Sequence, residues 1–359
     1  MKYGIFATMQ QRDLSLSSQQ IFRNAIEQTR FADELGYETA WYPEHHFSNY
    51  SLCPSPLMMA AHCAGVTSKI RLGAAVLILP LYNPARLLAE IGMVDDMSDG
   101  RLEIGIGSGY QKFEFDRFNV DITNNKDVTL EMLDVLEQGL SQDQFEYQGE
   151  HIKQPMTAIS ARTVQTPHPP VWIATFDPRM MTRAISAGHS IFVTGWLGNH
   201  KRLGGLRQTI DEAHAAQGRS PADTRVGLLR FAFASDSKSE VERYVESARY
   251  QQRLGNAIKF RRQASFDGYV LKEEPYEEEL PWEKMMRNIP VGDPETCAER
   301  IVNDIRALRP DHIAINTQIG DMDQKVMLKS METWMTKVAP LVEKELAKDQ
   351  VTSRSQAVA

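Results

Sequence analysis

Short apolar runs and longer stretches with an apolar residue every third or fourth position follow one another along the chain. The two periods predict strands alternating with amphipathic helices. Strands are predicted over residues 3–8, 39–42, 70–79, 101–106, 171–175, 190–194, 225–234 and 312–316. Helices are predicted over 18–35, 56–67, 84–97, 126–139, 179–187, 200–217, 238–254, 294–308 and 324–346. Gly36 stands just past the first of these helices and Pro84 opens the third, as helix ends favour. Residues 145–152 read as a small surface hairpin. Residues 259–288 fit neither period and carry an acidic run over 273–279, so they read as an insertion, either a mobile lid or a solvated excursion. Eight strands in this alternation predict an α/β fold, a (β/α)8 TIM barrel with insertion loops at the C-terminal mouth, rather than an open doubly wound sheet. The domain spans 1–348, and the small polar residues of 349–359 form an expected flexible tail.

A length of 359 residues suits one barrel of about 250 residues enlarged by insertions. The 42% hydrophobic and 24% charged content is that of a globular protein, and no run approaches the roughly 18 apolar residues that span a bilayer. The first residues enter a strand pattern without signal-peptide features, so the expected location is the cytoplasm. With 40 basic and 47 acidic residues the net charge is −7, which offers no general attraction for nucleic acid. Cys53, Cys63 and Cys297 are scattered and form no CxxC, suggesting neither a disulfide framework nor a zinc site.

Chemistry concentrates after the second strand, at Glu44-His45-His46. C-terminal strand ends are where parallel barrels build active sites. The cluster reads as metal ligands, as an acid/base pair or as a structural hydrogen-bonding group. Adjacent histidines at a strand end point to opposite sides, so one imidazole is expected at the mouth and the other packed outward. An imidazole can donate or accept a proton near neutral pH. Gly105-Ile106-Gly107-Ser108-Gly109 follows the fourth strand, but matches neither GxGxxG nor a Walker loop. It reads equally as a tight turn or as a backbone cradle for a phosphate or a flat ring. The small residues of Gly73-Ala74-Ala75-Val76 leave room for a planar cofactor or pack the barrel interior. The turn at 95–101 reads as structural.

Together, Met1-Lys2-Tyr3-Gly4-Ile5-Phe6, Glu44-His45-His46-Phe47, Leu72-Gly73 through Leu79-Pro80, Asn83-Pro84-Ala85-Arg86, Met97-Ser98-Asp99-Gly100-Arg101 and Val291-Gly292-Asp293-Pro294-Glu295 resemble the bacterial luciferase-like family of flavin-dependent monooxygenases. The resemblance implies a barrel that binds reduced FMN at the strand ends, activates O2 as a flavin 4a-hydroperoxide and oxygenates a small apolar or aromatic organic substrate. It also implies a separate flavin reductase, a homodimer built through the helices after the first three strands, and no metal. By motif position, His45 looks catalytic, with Glu44 and His46 in support. Ala75 and Val76 match the place of a non-prolyl cis peptide beneath the flavin ring. Gly107, Ser108, Gly109, Tyr110, Thr175 and Phe176 fall at cofactor-binding positions. Luciferase itself has a cysteine and an arginine at Gly107 and Ser108, a glutamate and a serine at Thr175 and Phe176, and an arginine at Asp127. With those arginines missing, Lys126, Arg179 or backbone amides would have to meet the phosphate. Phe6 and Trp196 look substrate-side, Trp196 equally a core residue. Two other readings keep the barrel: a deazaflavin-dependent oxidoreductase, and a non-catalytic flavin-binding or regulatory subunit.

Overall fold

Neighbouring residues on each strand divide between two cores. Phe6, Trp41, Trp172, Phe192, Leu229 and Ala314 form one inner cluster. Ile5, Tyr42, Ile173, Ile191, Leu228 and Ile315 belong to another, which packs against the helices. This period of two is what a sheet buried on both faces requires. In the computed structural model, which describes residues 1–260 and 266–357, the sheet is a closed parallel barrel. Its strands are β1 (Lys2–Phe6), β2 (Thr39–Tyr42), β3 (Arg71–Ile78), β4 (Leu102–Gly107), β5 (Val171–Ala174), β6 (Ser190–Trp196), β7 (Val226–Phe231) and β8 (His312–Asn316). They pair in chain order, and β8 closes on β1 with His312 opposite Lys2.

Large rings fill the lower interior because glycines make room for them. A Cβ on Gly73 would lie 2.2 Å from the Trp41 ring, and one on Gly227 would lie 2.6 Å from Phe192. Trp41 and Trp172 meet edge to face at 5.7 Å. Their indole N–H groups donate to His312 at 2.9 Å and to Glu103 at 2.5 Å. Because His312 Nε2 accepts, its Nδ1–H donates to Glu38 at 2.8 Å. Among the described residues these rings fill the floor, and their polar atoms are paired.

Element ends depart from expectation where tertiary pairing takes over. β1 stops at Phe6, and the chain turns at Met9 with φ +52°. β6 runs on to Trp196. The run 225–234 divides, with Phe233–Ala234 leaving the barrel to pair with Val291–Gly292. The helix predicted over 56–67 ends at Ala64, and a short helix, Lys112–Phe118, occupies the loop after β4. The hairpin near 145–152 forms from Phe145–Gln148 and Lys153–Thr157. The last predicted helix divides into Gln324–Thr333, a π-helical turn Trp334–Val338, and Ala339–Ala357. The last of these continues into the expected tail, of which residues 358–359 lie outside the described residues.

The insertion is not aperiodic throughout. Helix Lys238–Phe260 enters it, residues 261–265 lie outside the described residues, and a small hairpin (Phe266–Asp267 with Val270–Leu271) and helix Trp282–Asn288 follow. Phe266 stacks on Phe113 at 4.8 Å, Tyr269 donates to Gln11 at 2.7 Å, and Leu271 N–H donates to Asn49 at 2.9 Å. Arg253 binds Glu279 through two bonds of 2.6 and 2.8 Å and Glu273 at 2.7 Å. The insertion is therefore laid across the loops that follow β1, β2 and β4, above the C-terminal mouth.

Candidate active site

The segment after β2 is held by its own acid. Glu44 is buried, and its Oε2 accepts the Ile78 N–H at 3.0 Å and the Tyr82 hydroxyl at 2.7 Å, tying the segment to the end of β3. Its Oε1 lies 3.0 Å from His46 Nε2. His46 is buried against Phe118, with ring centroids 4.7 Å apart. Glu44 and His46 therefore bond each other and build the support. His45 is the imidazole that keeps some exposure, packed against Tyr50 at 4.8 Å and Tyr110 at 6.2 Å.

His45 Nδ1 lies 3.1 Å from Glu114 Oε1 and 3.1 Å from Gln111 Nε2. These contacts ask for opposite tautomers. An Nδ1–H donates to the carboxylate, whereas a bare Nδ1 accepts from the amide. Charge-assisted bonds are roughly twice as strong as neutral ones, so the proton belongs on Nδ1. Nε2 then carries the lone pair and has no hydrogen-bond partner among the described residues. Glu114 Oε2 and Gln111 Oε1 are buried and unpartnered among the described residues, leaving acceptor capacity beside the imidazole.

β3, the strand paired with β2, is irregular at its C-terminal half. The Ala75–Val76 peptide is cis, at the position where the resemblance implies one, and the β3–β4 register shifts between Ala74 and Leu77. Ala75 and Val76 are partly exposed, although Ala74 and Leu77 are buried. On β4, a Cβ at Gly107 would lie 2.8 Å from Val76, so only glycine permits that approach. Ser108 and Gly109 form a turn whose carbonyls accept from Asn125 Nδ2 at 2.9 and 2.8 Å. Gly109 has φ +72°, and a Cβ there would strike Phe115 at 2.6 Å. Tyr110 and Phe176 are exposed on the rim and Thr175 is half-buried. This small-residue wall suits a flat ring.

The expected phosphate cations are differently engaged. Lys126 pairs with Asp177 at 2.6 Å and Arg179 with Asp127 at 2.8 Å. Phe6 is buried in the inner cluster, and Trp196 packs partly exposed against that cluster and on Phe231 at 5.2 Å. Phe6 thus forms floor, and Trp196 is both core and wall. Trp196 is held at φ +37° with its carbonyl accepting from Arg230 at 2.5 Å. Arg230 is fully buried and pairs with Asp304 at 2.8 Å.

Glu114, Gln111, Tyr50 and Arg230 were not singled out from the sequence. Glu114 carried a signal: an acid flanked by Phe113 and Phe115, and it is fully buried.

The fold and the carboxylate-held imidazole at its rim define a (β/α)8-barrel protein with chemistry at the C-terminal strand ends. Residues 1–312 match the family described as luciferase-like monooxygenase, and the chain belongs to that family. It is 48% identical to an uncharacterized protein, y4vJ of Sinorhizobium fredii, over 98% of this chain and 100% of that one. It is 28% identical to the oxygenase component of a flavin-dependent trigonelline monooxygenase of Acinetobacter baylyi, over 67% of each chain. The monooxygenase RslO1 of Streptomyces bottropensis superposes with a TM-score of 0.83 at 20% identity, covering 95% of this chain and 99% of that one. The oxygenating constituent of 3,6-diketocamphane monooxygenase of Pseudomonas putida, in complex with FMN, gives 0.74 at 19% identity over 95% and 98%. An F420-dependent secondary alcohol dehydrogenase gives 0.73 at 14% identity over 95% and 98%, so the fold alone does not separate the two cofactors.

Proposed function

We propose that this chain is the oxygenase component of a two-component FMN-dependent monooxygenase, taking reduced FMN from a separate flavin reductase and using O2 to oxygenate a small apolar or aromatic molecule. The observation that carries the reading is His45, with Nδ1 anchored on Glu114 and Nε2 without a hydrogen-bond partner among the described residues, on the segment that follows β2 next to β3, whose Ala75 and Val76 are partly exposed. The reduced flavin would supply the electrons that activate O2. Ala75, Val76, Gly107, Ser108, Gly109 and Tyr110 would shape the cradle of its ring, and Lys126, Thr175, Phe176 and Arg179 would lie toward its phosphate. His45 Nε2 would hold or deliver a proton at the reacting face. Glu44 and His46 fix the segment that carries it. Phe6 and Trp196 give the substrate an aromatic floor and wall, and the insertion excludes water from above.

The protein would act in the cytoplasm as a homodimer, through helices Ser18–Leu35, Pro56–Ala64 and Pro84–Met97, where Met58, Met93 and Met97 are exposed. The test is anaerobic titration with reduced FMN and with reduced F420, followed by mixing with O2 and candidate aromatic substrates. FMN binding with substrate-dependent oxygen incorporation supports the proposal. Preferential F420 binding with hydride transfer would replace it by a deazaflavin oxidoreductase. Flavin binding with only peroxide release across the panel would favour the non-catalytic subunit.

A further inference from the structure

Two cations and two carboxylates form a balanced group on the rim between β4 and β5. Lys126 Nζ lies 2.6 Å from Asp177 Oδ2, Arg179 Nη1 lies 2.8 Å from Asp127 Oδ1, and Arg179 Nε lies 3.9 Å from Asp177 Oδ1. Asp177 Oδ1 also accepts the N–H groups of Arg179 at 3.0 Å and Met180 at 3.3 Å. It caps helix Pro178–Ala187, whose N-terminus is otherwise the natural seat for an anion. Asn125, the neighbouring amide donor, is committed to the carbonyls of Ser108 and Gly109. A dianionic phosphate arriving here meets no net positive charge from these four side chains and competes with Asp127 and Asp177 for the two cations. The ring end differs: a partly exposed small-residue wall, and buried acceptors on Gln111 and Glu114 without partners among the described residues.

We propose that this chain recognises its flavin by the ring and ribityl chain and gains little from the 5′-phosphate, so that riboflavin binds nearly as tightly as FMN, with Asp127 and Asp177 setting that tolerance. The inference rests on the flavin reading above. It makes the two aspartates specificity determinants: they neutralise the cations that would otherwise select a phosphorylated cofactor.

The experiment titrates the full chain with FMN and with riboflavin, each oxidised and each reduced under anaerobic conditions. The wild type is compared with Asp127→Asn, Asp177→Asn and the double variant. Asparagine also caps helices, so Asp177→Asn keeps the helix N-terminus, and melting curves check the fold. In the wild type the two dissociation constants should differ by less than about tenfold. The double variant should gain about tenfold for FMN, and that gain should weaken with added salt, while riboflavin binding stays unchanged. FMN preferred by more than about tenfold in the wild type, or an unchanged FMN affinity in a folded double variant, overturns the proposal. Failure of both flavins to bind any variant refutes the flavin reading itself and the inference with it.

Discussion

One oxygen of Glu114 holds two successive residues after β2: Oε1 lies 3.1 Å from His45 Nδ1 and 2.7 Å from the backbone nitrogen of His46. The carboxylate thus fixes both the position of the imidazole and the nitrogen that carries its proton. Glu114→Gln keeps the shape and removes the charge that selects this tautomer. Oxygenation should fall by roughly 10²-fold, with a displaced pH profile and flavin affinity changed by less than about threefold. Product yield per O2 consumed, measured across pH, checks this. An unaltered pH profile would mean that Glu114 merely packs.

His45→Ala should remove the proton-handling group and lower oxygenation by about 10²- to 10⁴-fold while leaving a folded protein, because buried Glu114 keeps the backbone N–H of His46 as a partner. His46→Ala acts differently. It strips a partner from buried Glu44, so its effect should show first as a loss of stability of about 1–3 kcal/mol. Urea denaturation and turnover measured on both variants separate the roles.

The barrel and the position of His45 were legible because both rest on local pattern: the period of two along each strand, and a chemical cluster at a strand end. The functional environment was less so. Glu114 reaches His45 across 69 residues and Arg230 reaches Trp196 across 34, and such pairings exist only once the barrel closes. Lys126 and Arg179 show the same limit for charge. Their charge was visible, but the carboxylates that meet them come from positions 177 and 127 on a different helix or loop. The ends of β6 and β7 were misjudged because register with neighbouring strands, rather than apolar content, decides where pairing stops.

The insertion is latched by Arg253, whose guanidinium spans Glu273 and Glu279 with all three side chains largely shielded. Arg253→Met keeps the aliphatic stem and removes the bonds. The variant should be cleaved faster by protease within the insertion, raise KM several-fold and lose about 2 kcal/mol of stability. An unchanged cleavage rate would show that the aromatic stack of Phe266 on Phe113 and the Asn49 bonds hold the insertion by themselves.

Glycines divide by what surrounds them. At Gly73 a Cβ would meet the Trp41 ring at 2.2 Å, and that ring is fixed by His312, Trp172 and Phe192. Gly73→Ala should cost about 3 kcal/mol, the upper end for overpacking. Gly204, within helix His200–Ala216, has nothing within 4 Å of its would-be Cβ, and alanine there should stabilise by roughly 0.5–1 kcal/mol. Opposite shifts in midpoint temperature are the check.

Acid should weaken the fold through two carboxylates. Burial would raise Glu38, but hydrogen bonds from His312 and Lys2 outweigh it and lower the group from 4.5 to about 2. Burial likewise opposes Glu137, where bonds from His189 and Arg183 prevail and bring it from 4.5 to about 2. Because both values are depressed in the folded state, the unfolded chain binds more protons between them. Each contribution is therefore present in full above about pH 4.5 and lost as pH falls toward 2. Each should be worth roughly 1–3 kcal/mol, given their partial exposure to screening. In Glu137→Gln one share is already gone. Its unfolding free energy should lie below wild type at pH 6, the gap should narrow by roughly half at pH 3, and the two should converge only toward pH 2, as the folded wild-type carboxylate takes up its proton. A constant gap across that range would show that packing around residue 137, rather than its charge, sets the difference.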